Sequence, residues 1–373
     1  MSEYPATASL LGLVVGDAFG SRVLLPGDHP SIRDRELPSP PWPWSDDAEM
    51  ACSIYWVLGQ YGEIDQDALA ASFAEHFDDR RGYGSGVERM LLRYRAGESW
   101  REVAPSAFGT GSWGNGGAMR VAPLGAWFCN DLNKVVAVAE KSAVVTHAHP
   151  EGVAGAVAVA VAAALTAAWP SLGPVQLLET VAAWVPVSEV RRRIQAATDL
   201  PGSKPVQEVA ALLGNGREVS AADTVPLALW IAAHHLDAYV DALWTAAQVA
   251  EDLDTVCAII GGVIAARTGS AGIPVEWRAA CEALPPWLPG VALTEPAPAP
   301  PPVVPDPMTP QIVVYKGWEF HHPPEGVWSG GMTLVSGETR CSLPNWMDMD
   351  DAVRYAEAVR NGKKPRMPRS GRL

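Results

Sequence analysis

Cysteine is scarce in this 373-residue chain and does not cluster. Cys52, Cys129, Cys257, Cys281 and Cys341 include no Cys-x-x-Cys pair, which excludes a disulfide framework or a zinc ribbon and fits a reducing compartment. Basic residues are in deficit: 28 Lys and Arg against 42 Asp and Glu leave a formal charge of −14. That is the wrong sign for a surface that coats nucleic acid or anionic lipid. No basic residue precedes the apolar stretch from Leu10 to Val15, so no secretory signal is expected and a cytoplasmic location is. Charged residues make up 19% against 48% hydrophobic, which excludes extended disorder over most of the length. Alternation of period two is missing from the first 285 residues, so a β architecture is not expected there.

What is present is helical periodicity, with apolar residues recurring at spacings of three and four. It predicts an all-α body from helices such as Thr7–Val15, Asp46–Gln60, Gly117–Phe128, Gly152–Ala168, Ala221–Leu236 and Thr255–Thr268, with Ser188 and Ser220 as helix caps. The run Gly152–Trp169 has eighteen residues without a charge, just enough for a membrane span. Its Ala, Val and Gly content and the lack of a second span predict instead a helix enclosed by others. From Leu284 prolines crowd the sequence. The expected organisation is therefore a compact many-helix bundle over 1–285, a Pro-rich linker over 286–310, and a small β-plus-helix appendage over 311–373.

Four local constellations carry chemistry. Ser45-Asp46-Asp47 opens an apolar helix, which alone reads equally as an N-cap. Asp252-x-Asp254-Thr255 repeats the hydroxyl-plus-carboxylate composition at another helix start. Brought together, Ser45, Asp46, Asp47, Asp252, Asp254 and Thr255 offer the oxygen ligands that a hard divalent cation requires. The glycine-rich loop around Ser112, Trp113, Gly114, Asn115 and Gly116 runs towards a predicted helix, where exposed N–H groups can face an anion. Thr146-His147-Ala148-His149-Pro150 stands at a helix junction; without a His-Glu-x-x-His motif, its histidines suit substrate contact or packing better than zinc.

In this order, and with Gly16-Asp17-Ala18-Phe19-Gly20 near the start and Met119-Arg120 after the glycine loop, the motifs resemble those of the ADP-ribosylglycohydrolase family over about residues 8 to 285. The resemblance implies an all-helical enzyme that binds two Mg²⁺ or Mn²⁺ ions through Ser45, Asp46 and Asp47 and through Asp252, Asp254 and Thr255. It implies a diphosphate cradle at Ser112–Gly116, stacking of Trp113 on adenosine, and contact of His147 or His149 with substrate. The implied reaction releases ADP-ribose from a modified protein or small-molecule acceptor, with Asp46 or Asp47 orienting water. No membrane partner is expected, and nucleic acid only as a modified acceptor.

Two departures from the family pattern matter. Leu24 stands where many relatives carry Glu, and Ala250-Glu251 where glycines are usual. The first keeps open a non-catalytic ADP-ribose binder on the same fold. Asp46-Asp47-x-Glu49 also superficially suits an all-helical isoprenoid synthase, which leaves the other motifs unexplained.

Overall fold

A computed structural model describes residues 4–24 and 32–293, and in the C-terminal part 311–315, 318–322, 332–336, 339–343 and 349–363. Packing divides the chain into two units, Met1–Glu295 and Pro296–Leu373.

The first unit is an all-α bundle that runs from helices Pro5–Leu24 and Asp46–Tyr61 to Leu253–Thr268 and Val275–Ala280. Its described residues include isolated bridges but no strand. Helix Pro150–Ala168 lies at the centre: it is long and apolar enough to cross a membrane, yet 78% of that stretch is buried inside the bundle. Its small side chains admit close neighbours. A β-carbon on Gly125 of helix Ala122–Trp127 would fall 2.0 Å from the Ala160 carbonyl oxygen.

The N-terminal helix uses the same device more extensively. Gly12, Gly16 and Gly20 recur every four residues and therefore share a face. β-carbons there would fall 2.3 Å from the Gly261 oxygen, 2.2 Å from the Cys257 oxygen and 2.5 Å from the Asp254 Cα. Helices Pro5–Leu24 and Leu253–Thr268 thus touch backbone to backbone. This is why the first helix continues to Leu24 instead of stopping near Val15: Gly16 and Gly20 are packing positions, not breakers.

Ser188 and Ser220 cap helices as expected, accepting from the Arg191 and Asp223 amides at 3.1 and 3.3 Å. The expected helix over Gly117–Phe128 is instead a 3₁₀ turn, Asn115–Gly117, then a short helix, Ala122–Trp127, started by Pro123. Two short helices, Trp100–Ser106 and Val275–Ala280, lack enough apolar repeats to register as periodic. Leu288 and Leu293, inside the stretch read as linker, are buried in the bundle's core, and Trp287 stacks on His76 with ring centroids 3.7 Å apart. Residues 294–310 of that stretch lie outside the described residues.

In the second unit, strands Gln311–Tyr315, Trp318–His322, Met332–Ser336 and Thr339–Leu343 pair antiparallel in sequence order. Helix Met349–Arg360 follows them.

Candidate metal and substrate site

The contact between helices Pro5–Leu24 and Leu253–Thr268 sets Asp17 beside Asp254. From that position Asp17 reaches the start of helix Asp46–Tyr61, where its Oδ2 accepts from the Ser45 and Ala48 amides at 2.8 and 3.0 Å. Ser45 is the N-cap: its Oγ accepts from the Asp47 amide at 3.2 Å and donates to Asp47 Oδ2 at 3.0 Å. Single oxygens of Asp17, Asp47 and Asp254 then all lie within 4.8 Å of one another.

This grouping is electrostatically costly in the protein alone. Burial, reinforced by Asp254, raises Asp17 to about 7, and Asp252 is raised to about 7 by the same two causes. Asp46 and Asp47 are also pushed well above the ordinary carboxylate range by burial and then by their acidic neighbours. Asp47 Oδ1 is buried with no hydrogen-bond partner, and such an atom normally has one. An oxygen-only donor set with an orphaned oxygen and mutually repelling charges fits a hard divalent cation.

The acids form one wall of a cavity of about 480 Å³. Asp46, Asp47, Asp252, Asp254 and Thr255 line it together with Ser112, Trp113, Gly114, Asn115, Gly116 and His147. Two of the predicted residues stand outside this lining. Ser45 acts through Asp47, as described above. His149 is the N-cap of helix Pro150–Ala168, with Nδ1 accepting from the Glu151 amide at 3.1 Å, and its ring meets Trp113 edge-on.

Asn115 ties the glycine loop to the second acidic segment. Its Nδ2 donates to Asp252 Oδ2 at 2.5 Å and to Thr224 Oγ1 at 3.0 Å. Asp252 is therefore turned towards the loop, although it stands at a helix N-cap. The loop glycines have a use the sequence did not suggest: a β-carbon on Gly116 would fall 2.6 Å from His147 Cε1, and one on Gly114 would fall 3.3 Å from His147 Nε2. The missing side chains make room for an imidazole. The helix expected to begin at Gly117 does not, so the N–H groups of this loop have no long helix directly behind them.

Asp17, Phe108, Glu218 and Val219 belong to the site or its lining without any sequence motif that assigns them a role. The glycine period of four around Asp17 was the available signal. Phe108 and Val219 line the cavity, are more than half exposed, and have φ of 52° and 51°, a region that non-glycine residues rarely occupy. Backbone strain of this kind leaves no trace in composition. The side chain of Leu24 lies outside the described residues.

A family model described as ADP-ribosylglycohydrolase matches residues 5–298. Human (Homo sapiens) ADP-ribosylhydrolase ARH3 is 28% identical over 274 residues, covering 64% of this chain and 74% of its own length. An uncharacterized protein of Archaeoglobus fulgidus is 30% identical over 294 residues, covering 72% and 88%. ADP-ribosylarginine hydrolase Tri1 of Serratia proteamaculans is 24% identical over 296 residues, covering 73% and 74%. A solved structure titled ADP-ribosylglycohydrolase-related protein complex shares the fold, with a TM-score of 0.55 and 23% identity over 75% of this chain and 92% of that one.

Proposed function

The chain belongs to the ADP-ribosylglycohydrolase family, and from that premise we propose that it uses a divalent metal to hydrolyse the glycosidic bond between ADP-ribose and a modified acceptor. The observation that carries this reading is the meeting, at one cavity, of acidic segments about 200 positions apart in sequence with the glycine loop.

Asp17, Asp47 and Asp254 are the residues that would hold an ion, with Asp46, Asp252, Ser45 and Thr255 as further donors beside them; Mg²⁺ or Mn²⁺ suits such donors, and two ions are proposed. When bound, the metal supplies Lewis-acid polarisation of the ribose hydroxyls and readier loss of a proton from water. The remaining work falls to the protein. Asp46 or Asp47 orients the attacking water and takes its proton. The water oxygen bonds to the anomeric carbon as the bond to the acceptor breaks, and the acceptor leaves with a proton. Carboxylates beside the ring stabilise the oxocarbenium-like charge.

Binding of the rest of the substrate follows from the lining. Among the described residues no Lys or Arg lines the cavity, and the Gly114 and Asn115 amides already donate to Ser112 Oγ and the Val219 carbonyl. Within the Ser112–Gly116 cradle the diphosphate is therefore left to the N–H groups of Ser112, Trp113 and Gly116 and to His147. Trp113, 46% exposed at the wall, offers a face for adenosine to stack on. The second unit is assigned no part in this chemistry.

Family membership removes the isoprenoid synthase alternative. A non-catalytic ADP-ribose binder is favoured only by Leu24. The test is a panel of ADP-ribosylated arginine, serine, nucleobase and small-molecule acceptors with and without Mg²⁺. Release of ADP-ribose from at least one acceptor, dependent on the ion, is expected. Binding of ADP-ribose with no release from any acceptor would leave the binder.

A further inference from the structure

We propose that Arg120 is a positioning residue which, through Thr146, fixes His147 as a hydrogen-bond donor with its proton on Nε2, aimed at an oxygen of the bound substrate. The inference rests on the reading of the cavity as an ADP-ribose site.

Arg120 is completely buried, and among the described residues it forms no ion pair with a carboxylate. One guanidinium nitrogen donates to the Ser142 carbonyl at 3.1 Å and to Thr146 Oγ1 at 2.9 Å. The second terminal nitrogen faces Met50 Sδ at 3.3 Å, Nε is buried without a hydrogen-bond partner, and the group lies over the Phe73 ring at 4.5 Å. A buried cation with no carboxylate in ion-pair contact, Asp46 acting on it only from further away, is destabilising, so its presence here calls for a use.

The use follows from counting protons. A guanidinium can only donate, so the Thr146 oxygen must accept from it. That leaves the hydroxyl proton for the other neighbour, His147 Nδ1, at 2.8 Å. Were Nδ1 to carry the proton instead, the hydroxyl hydrogen of Thr146, itself completely buried, would have no acceptor among these contacts. An unsatisfied buried donor is expensive. Nδ1 therefore accepts, and in a neutral ring the proton sits on Nε2. Burial and the Arg120 charge both oppose ring protonation, lowering its pKa to about 3.

The Nε2 edge packs against Gly114 and Gly116 at the cavity lining. What His147 presents is a permanent N–H, suited to a phosphate or ribose oxygen. It is neither a metal ligand nor a general base, because both roles need a free lone pair on that nitrogen.

The full chain labelled with ¹⁵N-histidine allows a direct test by long-range ¹H–¹⁵N correlation, without any ligand. The wild type should show His147 neutral and protonated at Nε2 between pH 5 and pH 8. Thr146→Val should let both tautomers appear and weaken ADP-ribose binding, measured by calorimetry, about tenfold, the worth of one hydrogen bond. Thr146→Ser should restore both readouts, and Arg120→Met should resemble Thr146→Val. An Nδ1–H ring in the wild type would overturn the proposal, and this holds even if every variant fails to fold. Unchanged ring signals and affinity in Thr146→Val would also overturn it. An Nε2–H ring in a wild type that binds no ADP-ribose would leave the relay standing and remove the reading of the cavity.

Discussion

Gly20 lies so close to Asp254 that a β-carbon on it would fall 2.5 Å from the Asp254 Cα. Real β-carbons do not approach backbone that closely, so Gly20→Ala must push helix Pro5–Leu24 away from helix Leu253–Thr268. We expect a loss of about 1–3 kcal/mol, typical of overpacking, measured by denaturant unfolding. Because Asp17 and Asp254 ride on the two helices, Mg²⁺ affinity should fall as well. Gly59→Ala is the control. Nothing lies within 4 Å of that position, and alanine inside helix Asp46–Tyr61 should stabilise by about 0.5–1 kcal/mol.

Asp46→Asn and Asp254→Asn should each weaken Mg²⁺ binding and remove hydrolysis while the far-ultraviolet circular dichroism stays helical. Neutralising one member of a repelling acidic cluster relieves charge, so neither variant should be less stable than the wild type without the ion. Turnover like the wild type's in both variants would reject the site assignment.

The acidic pairs, the glycine loop and the histidine motif were legible because each is a short run of chemically distinctive residues. Helix Pro150–Ala168 was legible because its apolar run is long. Asp17 is visible in a motif but has no role there: the expected helix ends near Val15, whereas Gly12, Gly16 and Gly20 form the contact face of a helix that continues to Leu24. His149 looked equivalent to His147 in sequence. Only the start of helix Pro150–Ala168 separates them, by turning one imidazole to cap the backbone and leaving the other against Gly114 and Gly116. The strained backbones of Phe108 and Val219 were out of reach, because φ is set by the fold around a residue and not by its side chain.

Gly116→Ala should act through His147. The added carbon would fall 2.6 Å from Cε1 of a ring held at its other side by Thr146, so the ring must move and its bond to substrate be lost. ADP-ribose affinity should drop about tenfold, again one hydrogen bond. At Gly117 the nearest atom to an added carbon is His147 Cβ at 3.4 Å, an ordinary contact, so Gly117→Ala should bind close to normally. Equal affinities for the two variants in calorimetry would remove this account of the glycine pair.

The acidic cluster predicts an unusual pH dependence in the ion-free protein. Asp17 and Asp252 are raised in the folded chain to about 7 from an ordinary value of 3.8. Folding then favours the protonated acids. Their contribution to stability is complete below pH 3.8 and is lost as pH rises through about 7. His147 acts with the opposite sign: its pKa is lowered to about 3 from 6.5, so its contribution is present above pH 6.5 and lost on acidification towards 3. The two trends overlap in mild acid, and Mg²⁺ separates them. Protons compete with the ion for the carboxylates but not for His147, so the stabilisation by Mg²⁺ should be small at pH 5 and grow to a plateau above about pH 7. Thermal unfolding with chelator and with saturating Mg²⁺ across pH 5 to 8 measures this difference. Two curves that stay parallel throughout would mean that these acids are not where the ion binds.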